Sequence, residues 1–166
     1  VRLGLRQVGG LSHAGALALV QARTLGGAFA DAEDLALRAR LGRKDLDALA
    51  AGDALASLAG HRRQQVWQAT GLVVGRTAAS DLLQGAPTHE AALLLPQAPE
   101  GEEITFDYAS LGLTLRRHPL ALLRPRLTRM RLQSAHDLHN LPVGCPVRGC
   151  GLVTVRQRPQ TAKGTV

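Results

Sequence analysis

The stretch best suited to binding chemistry is a short glycine-rich turn, Val8-Gly9-Gly10-Leu11-Ser12, between two apolar runs with helical spacing. Ser12 is a good N-cap, so a helix is predicted to begin just after it. The first N–H groups of a helix have no partner within the helix, and the helix dipole adds positive charge there. The turn therefore predicts a site for phosphate groups, built from Gly10, Leu11, Ser12, His13 and Arg6. A plain turn between two helices is the alternative interpretation.

Further basic side chains are candidates for contacts with a nucleic acid or another polyanion. Arg62 and Arg63 stand at the predicted start of a helix, where a cation is unfavourable for the helix itself, so an external anion would suit them. A second group flanks a predicted strand turn near the end of the chain and consists of Arg156, Arg158 and Lys163. Solvated side chains without a ligand are the alternative for both groups.

Two histidines and two cysteines have a spacing that loosely resembles a metal site. His136 and His139 precede Cys145 and Cys150, but this cysteine spacing is at the loose end of known zinc patterns. The two cysteines would also point to opposite faces of one predicted strand, because side chains alternate along a strand. We therefore predict no metal site, and expect two small buried thiols and surface histidines.

Paired carboxylates can hold catalytic metal ions, and two close pairs occur in the first part of the chain. Asp31 lies near Asp34, and Asp45 lies near Asp47. Both pairs fall at helix positions typical of first-turn charges, which the helix dipole favours, or of solvated side chains. We therefore predict that neither pair holds a catalytic metal ion.

The elements that position these residues are predicted to be mainly α-helical, because Ala and Leu dominate the apolar residues and both favour helices. Residues 1–25 have the pattern of a helix, a hairpin and a second helix. A weaker hairpin is predicted at Gly42-Arg43-Lys44, between a helix opened by Asp31 and one over 45–55. Further helices are predicted over 60–69, 107–117, 120–127 and 135–141, with a strand over 147–155, and Trp67 is predicted to anchor the core.

Charge divides the chain into three parts, with net charges of +3 over 1–70, −5 over 71–107 and +9 over 108–166. The acidic middle contains three prolines and weak periodicity, which is typical of a linker. We predict a tandem helix–hairpin–helix domain over 1–70, a linker over 71–106, a helical connecting arm over 107–141, and the first strands of an incomplete β-domain over 142–166.

The whole chain is strongly basic, with a net charge of +7 and a pI of about 10.9. Of its 20 basic residues 18 are arginines, whose planar forks suit phosphate, although genomic base composition also produces arginine excess. No apolar run reaches about 18 residues, so we predict neither a membrane span nor a membrane partner. Two cysteines without a signal peptide predict a cytoplasmic location. A start at Val1 suggests a piece of a longer protein or a processed chain.

Four blocks of the sequence resemble, in order, the C-terminal part of the bacterial C-family DNA polymerases of the polymerase III alpha-subunit type. They are Val1-Arg2-Leu3-Gly4-Leu5 with Val8-Gly9-Gly10-Leu11; residues 54–64; Asp107-Tyr108 with 111–113 and 118–120; and residues 151–159 with 161–164. The last block is the most specific to the error-prone branch of that family. The hairpin departs from the family pattern at Ser12, where Gly is frequent, but Ser keeps the donor N–H.

The resemblance implies a tandem helix–hairpin–helix domain that holds duplex DNA, a helical arm, and a truncated start of an OB-fold β-barrel over 142–166. It implies a parent enzyme that is a DNA-directed DNA polymerase, a nucleotidyltransferase acting in translesion replication and DNA repair. The catalytic aspartates and Mg²⁺ would belong to an upstream domain, so no cofactor is expected in this segment. Duplex DNA, single-stranded template and replication accessory proteins are the expected partners. A free-standing DNA-binding module and a replication-protein adaptor are the alternatives.

Overall fold

The structure is a computed structural model that describes residues 3–78 and 93–157, with only the backbone described over 73–78. The described residues are mainly helical, as predicted, and fall into two compact units, Val1–Arg116 and Arg117–Val166. A 3₁₀ turn over Leu5–Gln7 precedes the α-helices, which are α1 (His13–Gly26), α2 (Ala32–Arg38), α3 (Arg43–Ala51), α4 (Ala56–Ala59), α5 (Arg62–Ala78), α6 (Glu100–Leu111), α7 (Pro119–Arg129) and α8 (Ala135–His139).

Helix α1 begins where the sequence predicts it. The Ser12 hydroxyl oxygen accepts a hydrogen bond from the Gly15 N–H at 2.9 Å, which confirms Ser12 as the N-cap. The segment before the turn is not the predicted helix but the single 3₁₀ turn over Leu5–Gln7. Glycines on both sides leave too few residues for a helix to repay its nucleation cost.

The second hairpin is confirmed as a helix, a tight turn and a helix, but the turn lies over 39–42, and Arg43 and Lys44, which were predicted in the turn, begin α3. Asp31 caps α2 by accepting the Asp34 N–H at 2.8 Å. The turn after α2 closes when the Leu41 N–H donates to the Ala36 carbonyl at 3.1 Å, with Arg40 in the left-handed region at a φ of 50°. Gly42 then stands as the N-cap of α3.

The core of the first unit is small and is built by the first five helices. Leu46, Leu49 and Leu55 are all almost fully buried. The helix predicted over 45–55 is shorter than expected, because α3 ends at Ala51 with Gly52 as its C-cap and Leu55 lies directly before α4. The one large polar side chain among them is Gln65, whose amide is fully bonded. It accepts from the Leu55 N–H at 3.1 Å and donates to Asp53 Oδ1 and the Gly60 carbonyl.

Trp67 does not anchor the core, and that prediction is wrong. Its side chain is 54% exposed, whereas Gln65 and Ala69 on the same helix are completely buried. Gln65 and Ala69 are four residues apart and share one face of α5, and Trp67 stands on the opposite face. Leu and Ala side chains form the core, and the Trp67 indole is not part of it.

Residues 93–99 belong to the first unit. They lie along α5, where the Gln64 side chain donates to the Leu93 carbonyl at 2.9 Å and accepts from the Leu95 N–H at 3.2 Å. Helix α6 then starts at Glu100, earlier than predicted, because three glutamates in its first turn suit the helix dipole. The predicted boundary between linker and arm at 106/107 falls inside this helix. The predicted linker also includes 79–92, which lie outside the described residues.

The second unit contains α7 and α8, close to the predicted helices. Pro119 stands in the first turn of α7, as predicted. Over 117–157 the only strand-like pairing is one parallel bridge between Gln133 and Gly149, so the strand predicted over 147–155 is not formed there. A strand needs a partner along its length, and the described residues supply one pair. The OB-fold start remains a prediction.

Cys145 and Cys150 are exposed free thiols, so the prediction of two buried thiols is wrong. The predicted burial of the thiols required a packed sheet around Cys150, and residues 117–157 form no sheet. Residues 158–166, including the candidate contacts Arg158 and Lys163, lie outside the described part of the chain.

Candidate nucleic-acid interface

The two hairpins are joined by one carboxylate. Asp45, in the first turn of α3, accepts the Ser12 backbone N–H at 2.8 Å through Oδ1 and the Ser12 hydroxyl at 2.9 Å through Oδ2. These bonds place the first turns of α1 and α3 side by side. The carboxylate is stabilised there because the positive ends of two helix dipoles meet at it.

Gly15 allows this close approach. A Cβ at Gly15 would lie 2.5 Å from Asp45 Oδ2 and 3.1 Å from Ser12 Oγ, too close for either atom to stay where it is. The glycine is buried in the first turn of α1 and has helical backbone angles, so space and not conformation requires it. The junction of the two hairpins therefore depends on Ser12, Gly15 and Asp45 together.

Three backbone amides remain available at the first hairpin. Gly10, with a φ of 84° that favours glycine, His13 and Ala14 are exposed, and their N–H groups have no acceptor within the described residues. The structure thus presents at one helix start the donors that an anion requires.

The other predicted donors of the hairpin are bonded within the protein. The Leu11 N–H donates to the Val8 carbonyl at 3.3 Å, and the Ser12 N–H donates to Asp45 Oδ1. The neighbouring Gly9 N–H donates to the Ser110 carbonyl at 2.7 Å, which fixes the turn against the end of α6. Arg6 is exposed on the 3₁₀ turn, where it adds positive charge.

The second hairpin carries three exposed cations, which the sequence analysis did not select. Arg40 stands in the turn, and Arg43 and Lys44 form the first turn of α3. Arg43 donates to Asp47 at 2.8 Å in a half-exposed pair one helical turn away. The available signal was the clustering of three basic residues around Gly42, although the side-by-side placement of the two hairpins depends on the distant contact through Asp45.

Arg62 is part of the fold and is not available to a nucleic acid. Its side chain is 4% exposed, pairs with Glu103 Oε2 at 2.9 Å and also bonds Asp107. Its position at the helix start is explained by carboxylates on α6 and not by an external anion. We therefore withdraw Arg62 as a candidate contact.

Arg116 completes a buried ion-pair network around the same two acids. It binds Asp107 Oδ2 at 2.8 Å, Glu103 Oε2 at 3.1 Å and Asp53 Oδ2 at 3.0 Å. Burial alone would raise the pKa of Asp107, but hydrogen bonds from Arg62, Thr114 and Arg116 outweigh burial and lower the pKa below its usual value. The network ties α5, α6 and the turn after α3 into one unit.

The remaining candidate cations differ in their surroundings. Arg63 donates to both carboxylate oxygens of Glu102 at 2.9 Å in a half-exposed pair, so its charge is largely balanced locally. Arg156 is exposed in the second unit.

An apolar groove of about 430 Å³ lies in the first unit between α5 and α6. Val66, Trp67, Thr70, Leu95 and Phe106 supply most of its apolar lining, and Trp67 is the large exposed side chain beside it. The pair of Arg63 and Glu102 stands at its edge and contributes no net charge.

The residues that loosely resembled a metal site do not form one in the described parts of the chain. Over 3–78 and 93–157, no three side chains of His, Cys, Asp or Glu come together in a group that could hold a metal ion. Among the same residues, no helix combines the length and the apolar character needed to span a bilayer.

Comparison with known proteins supports the polymerase resemblance. Residues 1–65 match a family model described as a helix-hairpin-helix motif. The whole chain is similar to proteins named error-prone DNA polymerase, with 51% identity over 166 residues in Ralstonia nicotianae, 52% over 167 in Bordetella parapertussis and 49% over 166 in Azoarcus sp.. The predicted resemblance to error-prone DNA polymerases is thus confirmed. The chain is fully covered in each comparison and spans about 15% of the relatives' length.

Proposed function

We propose that this chain is a segment of an error-prone DNA polymerase that binds duplex DNA, and that its first hairpin binds phosphates of the DNA backbone. The observation that carries the proposal is the bond pair between Ser12 and Asp45, which sets two helix starts side by side. The amides of Gly10, His13 and Ala14, which lack acceptors among the described residues, point to an anion as their ligand.

The proposed mechanism uses fixed backbone donors instead of flexible side chains. The first turn of α1 is held by the Ser12 cap and by Asp45, so its amides lose little freedom when a phosphate oxygen binds. The positive partial charge at the start of the helix strengthens the attraction between these amides and a phosphate. Contacts of this kind position a duplex and do not distinguish base sequences.

The second hairpin would supply charge to the same duplex. Arg6, Arg40 and Lys44 are exposed and form no ion pair within the described residues. Each cation that neutralises a phosphate releases bound counterions, which makes the affinity depend on salt. The Asp45 carboxylate limits the net charge of the site, and its bonds to Ser12 offset that effect by fixing the geometry.

In the longer protein, this binding would hold the duplex during templated DNA synthesis in translesion replication and repair. Nucleotidyl transfer, its aspartates and Mg²⁺ would belong to other parts of that protein. Residues 142–166 would begin an OB fold in which Arg156, Arg158 and Lys163 contact single-stranded template. Replication accessory proteins are further proposed partners, and the compartment would be the cytoplasm. The identity of about 50% to polymerases over the full chain favours this account over a free-standing module.

The proposal is tested by measuring the affinity of the 166-residue chain for duplex DNA over a salt series. Two duplexes of unrelated sequence should bind equally, and log K should fall linearly with log salt, by about 0.9 for each phosphate neutralised. Absent binding, or binding that does not change with salt, would contradict the proposal.

A matched pair of variants then tests the hairpin itself. His13→Glu places a negative charge at the first position of α1, where it stabilises the helix but repels a phosphate. Gln21→Glu introduces the same charge on an exposed position later in the same helix. We expect His13→Glu to weaken duplex binding at least tenfold without loss of stability, and Gln21→Glu to change it much less. Equal effects would show that the hairpin has no special role.

A further inference from the structure

The described part of the second unit is strongly basic and has almost no acid of its own. Residues 117–157 contain seven arginines and a single acidic residue, Asp137. The Asp137 carboxylate is hydrogen-bonded within the capping box of α8, where it accepts the Ser134 N–H at 3.0 Å and the Ser134 hydroxyl at 2.6 Å. In the first unit, by contrast, five arginines pair with carboxylates, namely Arg38, Arg43, Arg62, Arg63 and Arg116.

Three of these arginines lie close together at the end of α7. Arg126 and Arg129 stand in its last turn, three residues apart and therefore neighbours on the helix surface, and Arg131 follows directly after the helix. All three side chains are exposed, and none pairs with a carboxylate within the described residues. The Arg129 Nε donates to the Pro125 carbonyl at 3.3 Å, which aligns the side chain along the helix.

Arg131 occupies a backbone position that normally favours glycine. Its φ is 57°, and the chain around it closes the helix through the Leu132 N–H to the Leu127 carbonyl at 3.0 Å and the Arg131 N–H to the Thr128 carbonyl at 2.9 Å. The same arrangement occurs at Arg40, beside the second hairpin, and at Asp53, after α3. A non-glycine residue is unfavourable for folding at such a position. Asp53 pairs with Arg116, whereas Arg131 forms no ion pair within the described residues.

Helix stabilisation accounts for only part of this cluster. Cations in the last turn interact favourably with the helix dipole, which explains Arg126 and Arg129 taken singly. It does not explain a third arginine in a left-handed conformation, and like charges at these spacings repel one another. An external polyanion would offset the repulsion among the three cations.

We propose that Arg126, Arg129 and Arg131 bind the phosphodiester backbone of DNA, as a contact additional to the two hairpins. The inference rests on the proposed DNA-binding function. The planar guanidinium fork of arginine matches two phosphate oxygens, and all three residues are exposed. The relatives of the chain are DNA polymerases, which makes nucleic acid the partner favoured over an acidic protein surface.

The test replaces all three arginines by glutamine in the 166-residue chain and measures the salt dependence of binding to a duplex and to a single strand of equal length. Removal of three phosphate contacts should reduce the slope of log K against log salt by about 2.7 for the duplex, or by about 2.1 for the single strand. The strand type whose slope changes identifies the form of DNA that is bound. The triple lysine variant keeps the charge and should retain most of the slope.

Two further variants separate binding from folding. Arg23→Gln removes an exposed arginine from the last turn of α1, the matched position in another helix, and should leave both slopes unchanged. Arg131→Gly should raise the melting temperature and still reduce the slope, by about 0.9 for the duplex or about 0.7 for the single strand. A rise in melting temperature with unchanged slopes would remove Arg131 from the proposed contact.

The outcomes distinguish this inference from the proposed function. If the wild-type chain binds duplex DNA and His13→Glu weakens binding, but the triple glutamine variant retains both slopes, only the α7 contact is overturned. If the wild-type chain binds neither form of DNA, the proposed function fails first.

Discussion

Asp45 accepts two hydrogen bonds from Ser12, a residue 33 positions earlier in the chain, at 2.8 and 2.9 Å. One carboxylate thereby connects the N-cap of α1 to the first turn of α3. The same contact consumes one of the backbone donors expected to bind phosphate and fixes the geometry of those that remain. The starts of α1 and α3 are thus held together at this contact.

Replacement of Asp45 by alanine should lower the free energy of unfolding by about 2 kcal/mol, because it removes two charge-assisted bonds and leaves the partly buried Ser12 N–H unpaired. Urea denaturation measures the change. Asp47→Ala is the matched control, two residues later in the same helix, where the carboxylate forms only a half-exposed pair with Arg43. It should cost less than about 0.5 kcal/mol. Equal losses would show that the Ser12 contact contributes nothing special.

Gly15→Ala should destabilise the chain by about 1 kcal/mol or more, since the new Cβ would lie 2.5 Å from Asp45 Oδ2 and force the two hairpins apart. Gly71→Ala, within α5, introduces the same methyl group where no atom lies within 4 Å. That variant should gain about 0.5–1 kcal/mol from reduced backbone entropy. Thermal melts of the two variants should therefore move in opposite directions, and a stabilised Gly15→Ala would refute the close approach.

Arg62→Leu should cost about 3–5 kcal/mol, because it leaves Glu103 and Asp107 buried with one cation fewer. Arg63→Leu removes the neighbouring arginine from a half-exposed pair and should cost about 1 kcal/mol or less. Denaturation of the two variants provides the comparison. If Arg62→Leu instead left stability intact and reduced the salt slope for duplex binding, Arg62 would be a DNA contact after all.

The pH dependence of stability should carry the signature of Asp107. Its pKa is lowered in the folded chain, so the group stabilises the fold above the unfolded value of 3.8, and that contribution is lost as the pH falls through the folded pKa. The difference in unfolding free energy between wild type and Asp107→Asn should be largest at neutral pH and shrink below about pH 4. A difference that stays constant down to pH 2 would contradict this assignment.

Local rules predicted the helix caps well and the tertiary contacts poorly. The N-cap at Ser12, the second hairpin at Gly42 and the first-turn proline of α7 follow from side chains that act on their own backbone. Arg62 was misassigned because its partners lie 41 and 45 residues away on α6. A basic residue at a helix start has the same local pattern whether its anion is internal or external.

The face of α5 was misassigned for a related reason. Size and aromatic character favoured Trp67 as the buried residue, but the helix turns Gln65 inward, where its amide meets donors and acceptors from other segments. Those groups are arranged by the turn after α3, so no pattern within α5 reveals them. Predicted burial of the two cysteines failed in the same way, because it depended on a sheet that residues 117–157 do not form.

The central claim is tested most directly by following the backbone amides of the isotope-labelled chain by NMR while duplex DNA is added. The account predicts that the Gly10, His13 and Ala14 signals shift progressively, reach saturation with the DNA, and return when salt is raised. The Gly71 amide, in the middle of α5, should remain in place. Duplex binding that leaves the three hairpin amides unmoved would contradict the claim that they hold the phosphate backbone.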